Sequence, residues 1–144
     1  MYYIWVNNLE RHQMRKLTKA HISAVEKLIS LYNKINEEFF EYTNEYEFEH
    51  IFKKFTGFGA MNTCRLCQSV CGDCDKCIYN VFNGKDNEVT YACTDTDSIY
   101  LDTYDALEEA LENGTVEQII KATKQRKQGL IDLLKEYKKC QNIT

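Results

Sequence analysis

Cys64-Arg-Leu-Cys67-Gln-Ser-Val-Cys71-Gly-Asp-Cys74-Asp-Lys-Cys77 decides how the rest of the chain is read. Two Cys-x2-Cys pairs stand out, 64/67 and 74/77. Each pair can close a tight turn that offers two thiolates to one ion. Six residues separate the pairs, and Gly72 lets the chain turn back between them. Zinc takes four ligands in a tetrahedron, with sulfur at about 2.3 Å. Cys64, Cys67, Cys74 and Cys77 can supply that set, and Cys93 can replace a member of the second pair. The sequence leaves open which four of these five bind. Few large apolar side chains lie in 57–77, so metal binding would supply the free energy that orders the segment. An iron–sulfur cluster is the competing reading, but the spacing lacks the order of bacterial ferredoxins. Cys71 is expected to be a spare, and Cys140 an exposed thiol without a role.

Downstream of the cluster, Tyr79 and Val81, then Val89 and Tyr91, favour extended backbone. Asn83-Gly84 is a turn dipeptide between them. A hairpin there would carry Cys93 back beside Cys77, which is the reason for counting it as a ligand.

Upstream, there is no Pro, and the first Gly is Gly57. Leu17, His21, Ala24, Leu28, Leu31, Ile35, Phe39 and Tyr42 recur three or four residues apart, the stripe of an amphipathic helix. It predicts a helix over 8–42, roughly 50 Å long at ~1.5 Å per residue. A second helix over 45–56 carries Tyr46, Ile51, Phe52 and Phe55, and Gly57-Phe-Gly59 ends it. Thr103 can cap a helix over 103–113, stopped by Gly114. Thr115-Val-Glu-Gln118 has the form of a capping box. It opens a last helix over 116–140 with Ile119, Ile120, Thr123, Lys127, Leu130, Leu134 and Tyr137 toward the core.

Together these pieces predict an α+β, mostly α-helical fold in a single domain, 1–144. Long N-terminal and C-terminal helices would surround a four-cysteine zinc knuckle and a short β-hairpin. The parts are a helical 1–57, a zinc-binding 58–100 and a helical 101–144. The length of 144 residues fits one domain. The N-terminal apolar run is too short for a signal peptide, and no stretch reaches the ~20 apolar residues that cross a bilayer. A cytoplasmic location in a bacterial host is expected. In a reducing compartment seven cysteines, an odd number, are poorly explained by disulfides.

The formal net charge is −4, and thiolate-bound zinc would make it more negative. This argues against phosphate neutralisation as the way of binding DNA or RNA. Charge is also segregated. Glu37, Glu38, Glu41, Glu45, Glu47 and Glu49 lie in a stretch without Lys or Arg, with Phe39, Phe40, Tyr42 and Tyr46 among them. Aromatics within a carboxylate rim can anchor a protein contact. Glu37, Glu38, Glu41, Tyr42, Glu45, Tyr46 and Glu47 are therefore the candidate partner-binding residues. The plainer alternative places the aromatics in the core, with the acids as a solvated face.

The rest of the chain offers little chemistry. Asp95-Thr-Asp97-Ser98 is similar over a few residues to the metal-binding turn of family B DNA polymerases, but the chain is too short for one. There is no Gly-rich phosphate loop, Ser/His/Asp arrangement or paired-His motif. His12, His21 and His50 are expected to be structural or surface residues. A binding protein is expected, not an enzyme.

Cys64-Arg-Leu-Cys67, Cys74-Asp-Lys-Cys77-Ile78, the later Cys93, Tyr104 and a Lys/Arg-rich last helix with Arg126 carry a resemblance. The chain resembles the small cysteine-cluster proteins of phages and mobile elements of low-GC Gram-positive bacteria. Among these it most resembles a zinc-containing type II-A anti-CRISPR. That resemblance implies binding to the RNA-guided DNA endonuclease of type II CRISPR systems, blocked capture of target DNA and a structural zinc ion. A zinc-dependent nucleic-acid module, touching phosphates through Arg11, Arg15, Lys16, Lys19 or the last helix, is the alternative. A phage adaptor protein is another.

Overall fold

The computed structural model describes residues 16–59, 64–72, 76–81 and 101–141. Five α-helices and three 3-10 turns form the described parts: α1 (Lys19–Asn33), α2 (Phe48–Thr56), α3 (Arg65–Ser69), α4 (Leu101–Asn113) and α5 (Val116–Gln141), with turns at Glu37–Phe40, Glu45–Glu47 and Ile78–Asn80. Helix accounts for 79% of these residues, and no β-strand occurs among them. The α+β class with a hairpin is thereby corrected to a helical fold.

The correction has a local cause. Tyr79 and Val81, expected to begin the hairpin, lie in and just after the 3-10 turn Ile78–Asn80. Ile78, Tyr79, Asn80 and Val81 are all buried in succession. A half-buried strand would alternate inward and outward. Here tertiary packing closes over every side chain, and β propensity yields to it. The expected turn at Asn83-Gly84 and the returning strand at Val89 and Tyr91 lie outside the described residues.

The first helix is also shorter than its stripe. Residues 16–18 are not helical. Thr18, in extended conformation, caps α1 by accepting the His21 N–H. The helix stops at Asn33, far short of residue 42. Asn36 then adopts an extended backbone, and its side chain accepts the Phe39 N–H at 3.0 Å. Asn side chains compete in this way for backbone groups and favour caps over helix interiors. The apolar spacing ran on because a 3-10 turn also repeats every three residues.

The helix expected over 45–56 exists in two pieces, the turn Glu45–Glu47 running into α2. Gly57 ends it with φ 76°, its N–H donating to the Lys53 carbonyl. Toward the C-terminus, Thr115 and Gln118 form the reciprocal capping box: Thr115 N–H donates to Gln118 Oε1 at 2.8 Å, and Gln118 N–H to Thr115 Oγ1 at 3.3 Å. Thr103 lies inside α4 and does not cap it.

α5 is the spine of the molecule. It packs against α1 and α4 and meets the turns Glu37–Phe40 and Ile78–Asn80. Its buried face is Ile119, Ala122, Thr123, Arg126, Leu130, Leu133, Leu134, Tyr137 and Cys140. The sequence stripe had put Lys127 inward; instead Lys127 Nζ reaches out to Asn33 Oδ1 at 2.7 Å. Cys140, expected to be exposed, is only 3% exposed. Tyr137 ties the two ends together, its hydroxyl accepting the buried Leu17 N–H at 2.9 Å. No helix among the described residues is long and apolar enough to cross a membrane.

Candidate functional site

Two regions have the chemistry of a site: the cysteine segment and the acidic loop that follows α1. In the first, Cys64 stands in extended conformation at the N-cap of α3, and Cys67 lies in the helix's first turn. This spacing brings the two sulfurs into hydrogen-bond contact. The Cys64 thiol is pulled down to about 6, chiefly by the Cys67 thiol. Burial opposes this, while the backbone N–H groups of Cys67 and Leu66 and the charge of Arg126 support it. After α3 the chain reverses through Cys71 (φ 55°) and Gly72 (φ 79°), where Gly72 N–H donates to the Cys67 carbonyl at 2.8 Å. Cys71 is exposed and Cys77 is buried.

These thiols fit a metal only in part. Cys64 and Cys67 form a two-sulfur unit with backbone N–H groups aimed at it. Among the described residues, no three His, Cys, Asp or Glu side chains converge closely enough to hold an ion. Cys74 and Cys93 lie outside the described residues. A four-thiolate centre would need two more sulfurs beside Cys64 and Cys67, from among Cys74, Cys77 and Cys93.

A histidine from α1 organises this segment. His21 is fully buried. Its Nε2 accepts the Ile78 N–H at 2.8 Å, directly after Cys77. Its Nδ1 lies 2.7 Å from Ser69 Oγ, which itself donates to the Leu66 carbonyl at 2.8 Å. The Ser69 hydrogen is thus committed, so His21 must donate from Nδ1 and accept at Nε2. Its tautomer is fixed, and this pair is not a nucleophile with its base. Burial lowers the His21 pKa to about 4. The sequence had placed His21 on the apolar stripe as a structural or surface residue; its role as the link between both halves of the cysteine segment was not legible there.

Arg126 was likewise unforeseen, having been read as one of the basic residues of the last helix. It is only 5% exposed. Its guanidinium lies 4.6 Å from the centre of the Tyr79 ring and 5.6 Å from that of Tyr104. Nη1 donates to Thr103 Oγ1 at 2.9 Å, and the guanidinium also hydrogen-bonds Tyr32. Burial pushes Tyr32 up to about 12, and Arg126 opposes the shift. A cavity of about 20 Å³ beside Arg126, Tyr79 and Cys64 has room for about one water, not a substrate. Its signal in the sequence was position: 119, 122–123, 126, 130 and 133–134 continue one helical stripe.

The acidic loop has different architecture. Phe39, Phe40, Phe48 and Phe55 form a chain of ring contacts beneath it, with centroids 4.9, 5.0 and 5.1 Å apart. Asn36 caps the first turn, and Asn44 caps the second by accepting the Tyr46 N–H at 3.0 Å. Tyr42 and Tyr46 point the other way, 95% and 87% exposed, and are the large hydrophobic residues left exposed among the described ones. Glu37, Glu38, Glu41, Glu45 and Glu47 of the same segment are exposed too. Glu49 turns aside to pair with Lys53 at 3.4 Å. The loop's aromatics thus divide: phenylalanines go to the core side, and tyrosines face solvent.

An open groove of about 330 Å³ lies between α4 and α5, lined by Ala106, Ala110 and Ala122 with Gln118, Lys121 and Gln125 at its sides. It presents no cluster of reactive groups. No family model, curated protein or solved structure matches this chain.

Proposed function

We propose that this chain is a protein-binding module that docks a positively charged partner through its acidic tyrosine loop. One observation carries this: two tyrosines at 95% and 87% exposure lie on a loop with packed phenylalanine rings and five exposed carboxylates along the same segment. Leaving two large rings in water costs solubility and contributes nothing to the core. Such residues serve best as anchors that lose water on contact, inside a polar rim. The capped turns hold the loop in place, so little ordering entropy is lost on binding. The carboxylates add charge complementarity, which speeds encounter and selects a basic surface.

The resemblance noted above makes the RNA-guided endonuclease of type II CRISPR systems the partner to test first, with blocked loading of target DNA as the outcome. Such enzymes hold a heteroduplex in a positive channel, which suits an acidic docking loop. In the same proposal the cysteine segment is architectural, with Cys64 and Cys67 contributing to a structural zinc site. The support for that is the paired thiols and the depressed Cys64 pKa.

The test is a pull-down against a purified type II effector complex, with and without target DNA, comparing wild type with Tyr42→Ala/Tyr46→Ala. The double variant should bind about tenfold or more weakly, on the order of a hot-spot loss. Charge reversal of Glu41, Glu45 and Glu47 together should weaken binding too, more so at low salt. Unchanged affinity in both variants would remove this face from consideration. Steeply salt-dependent binding of bare DNA would instead favour the nucleic-acid alternative.

A further inference from the structure

We infer that the acidic tyrosine loop is selective for arginine, so that the partner surface it fits is arginine-bearing in preference to lysine-bearing. This rests on the docking role proposed above and specifies its chemistry.

Tyr42 and Tyr46 offer almost their whole ring surfaces to solvent. Glu41 adjoins Tyr42 in sequence, and Glu45 and Glu47 flank Tyr46. Both tyrosines are thus sequence neighbours of exposed carboxylates, on a loop held by side-chain caps at Asn36 and Asn44. The short segment 41–47 exposes both ring faces and carboxylates to an approaching cation. Guanidinium can use both at once. It is planar and weakly hydrated, stacks on an aromatic face, and still directs its edge N–H groups at a carboxylate in a bidentate pair. A lysine ammonium is a compact, strongly hydrated point charge; it gains the ring only by giving up water. Plain carboxylates in water would distinguish the two cations little. The tyrosines are what produce selectivity.

The same pairing of chemistries occurs inside the molecule. Arg126 sits at 4.6 Å from the Tyr79 ring and 5.6 Å from the Tyr104 ring, with its edge donating to Thr103 and Tyr32. There the faces of the guanidinium meet tyrosine and its edge meets oxygen. The exposed loop offers these two contact types to a guanidinium from outside, with carboxylates in place of hydroxyls.

The experiment uses the full chain and two synthetic dodecapeptides of equal charge, one alternating Arg with Gly and one alternating Lys with Gly. Binding is followed by NMR through the ring signals of Tyr42 and Tyr46, at low and physiological salt. The Arg peptide should bind at least about threefold more tightly than the Lys peptide, and both tyrosine rings should shift. In Tyr42→Ala/Tyr46→Ala the Arg-to-Lys ratio should fall to about one, while weak salt-dependent binding persists. Tyr42→Phe/Tyr46→Phe should keep the ratio, because the ring faces remain. Equal affinities for the two peptides in the wild type overturn the inference, as does a preference that survives loss of both rings. A parallel arm measures the type II effector against the same variants. If the effector binds wild type and Tyr42→Ala/Tyr46→Ala equally, the docking role itself fails. If effector binding depends on the tyrosines but the peptides bind equally, only arginine selectivity fails.

Discussion

Protonation of His21 should destabilise this protein in mild acid. In the fold the ring is wholly buried, accepts the Ile78 N–H at Nε2 and donates from Nδ1 to Ser69. A second proton on the ring would face the Ile78 N–H, so it must break that hydrogen bond. Burial therefore lowers the pKa from 6.5 to about 4. Because the folded value is the lower one, the unfolded chain takes up the proton first as pH falls. His21 contributes its full stability above pH 6.5, loses it progressively between pH 6.5 and 4, and changes little below that. The difference between the two values corresponds to about 3 kcal/mol, a large fraction of an ordinary domain's stability.

Urea denaturation at several pH values between about 7.5 and 3.5, on wild type and His21→Gln, measures this. Carboxylates and thiols titrate in both proteins, so the difference between the two profiles isolates the imidazole. At neutral pH the variant should be less stable by about 1–3 kcal/mol, because the buried Ile78 N–H and Ser69 lose a matched partner. As pH falls to about 4 the gap should close or reverse. Parallel losses in the two proteins would refute the reasoning, as would an NMR titration placing the His21 ring near its ordinary value of about 6.5.

Other outcomes follow from single contacts. A Cβ on Gly114 would stand 2.6 Å from the Ala110 carbonyl oxygen and 2.9 Å from its Cα, both backbone atoms. Gly114→Ala should therefore lower stability by about 2 kcal/mol or more, read as a fall in Tm. Gly129 has nothing within 4 Å of such a Cβ and lies within α5, so Gly129→Ala should stabilise by about 0.5–1 kcal/mol in the same assay. Tyr137→Phe removes the acceptor of the buried Leu17 N–H and should cost about 1–3 kcal/mol in chemical denaturation. Protein purified without added metal should contain one zinc per chain by elemental analysis, and chelation should lower its Tm. Finding iron, or no metal, would overturn the zinc proposal.

What could be read in the sequence was local. Gly57, Gly114 and the Thr115–Gln118 box marked helix ends because caps and left-handed turns depend on a few adjacent residues. The 64/67 pair was visible as a two-thiol turn because its spacing alone brings the sulfurs together. The acid and tyrosine composition of residues 37–47 was plain as well. Which of its aromatics would face water was not: Phe39 and Tyr42 shared one stripe, yet only Tyr42 is exposed.

Tertiary packing decided everything in which distant residues compete for the same space. Asn36 caps a new turn where the apolar periodicity would have continued the helix, and that 3-10 turn meets α5 and buries Phe40 against Phe39 and Phe48. Tyr79 and Val81 lost their preference for a strand once surrounding side chains covered the whole turn. His21 and Arg126 became interior groups because Ser69, Ile78, Tyr79, Tyr104 and Thr103 arrive from other segments to satisfy them. A helical stripe states that a position faces inward. Whether a polar side chain can stay there depends on the partners it meets, and only the fold brings those partners to it.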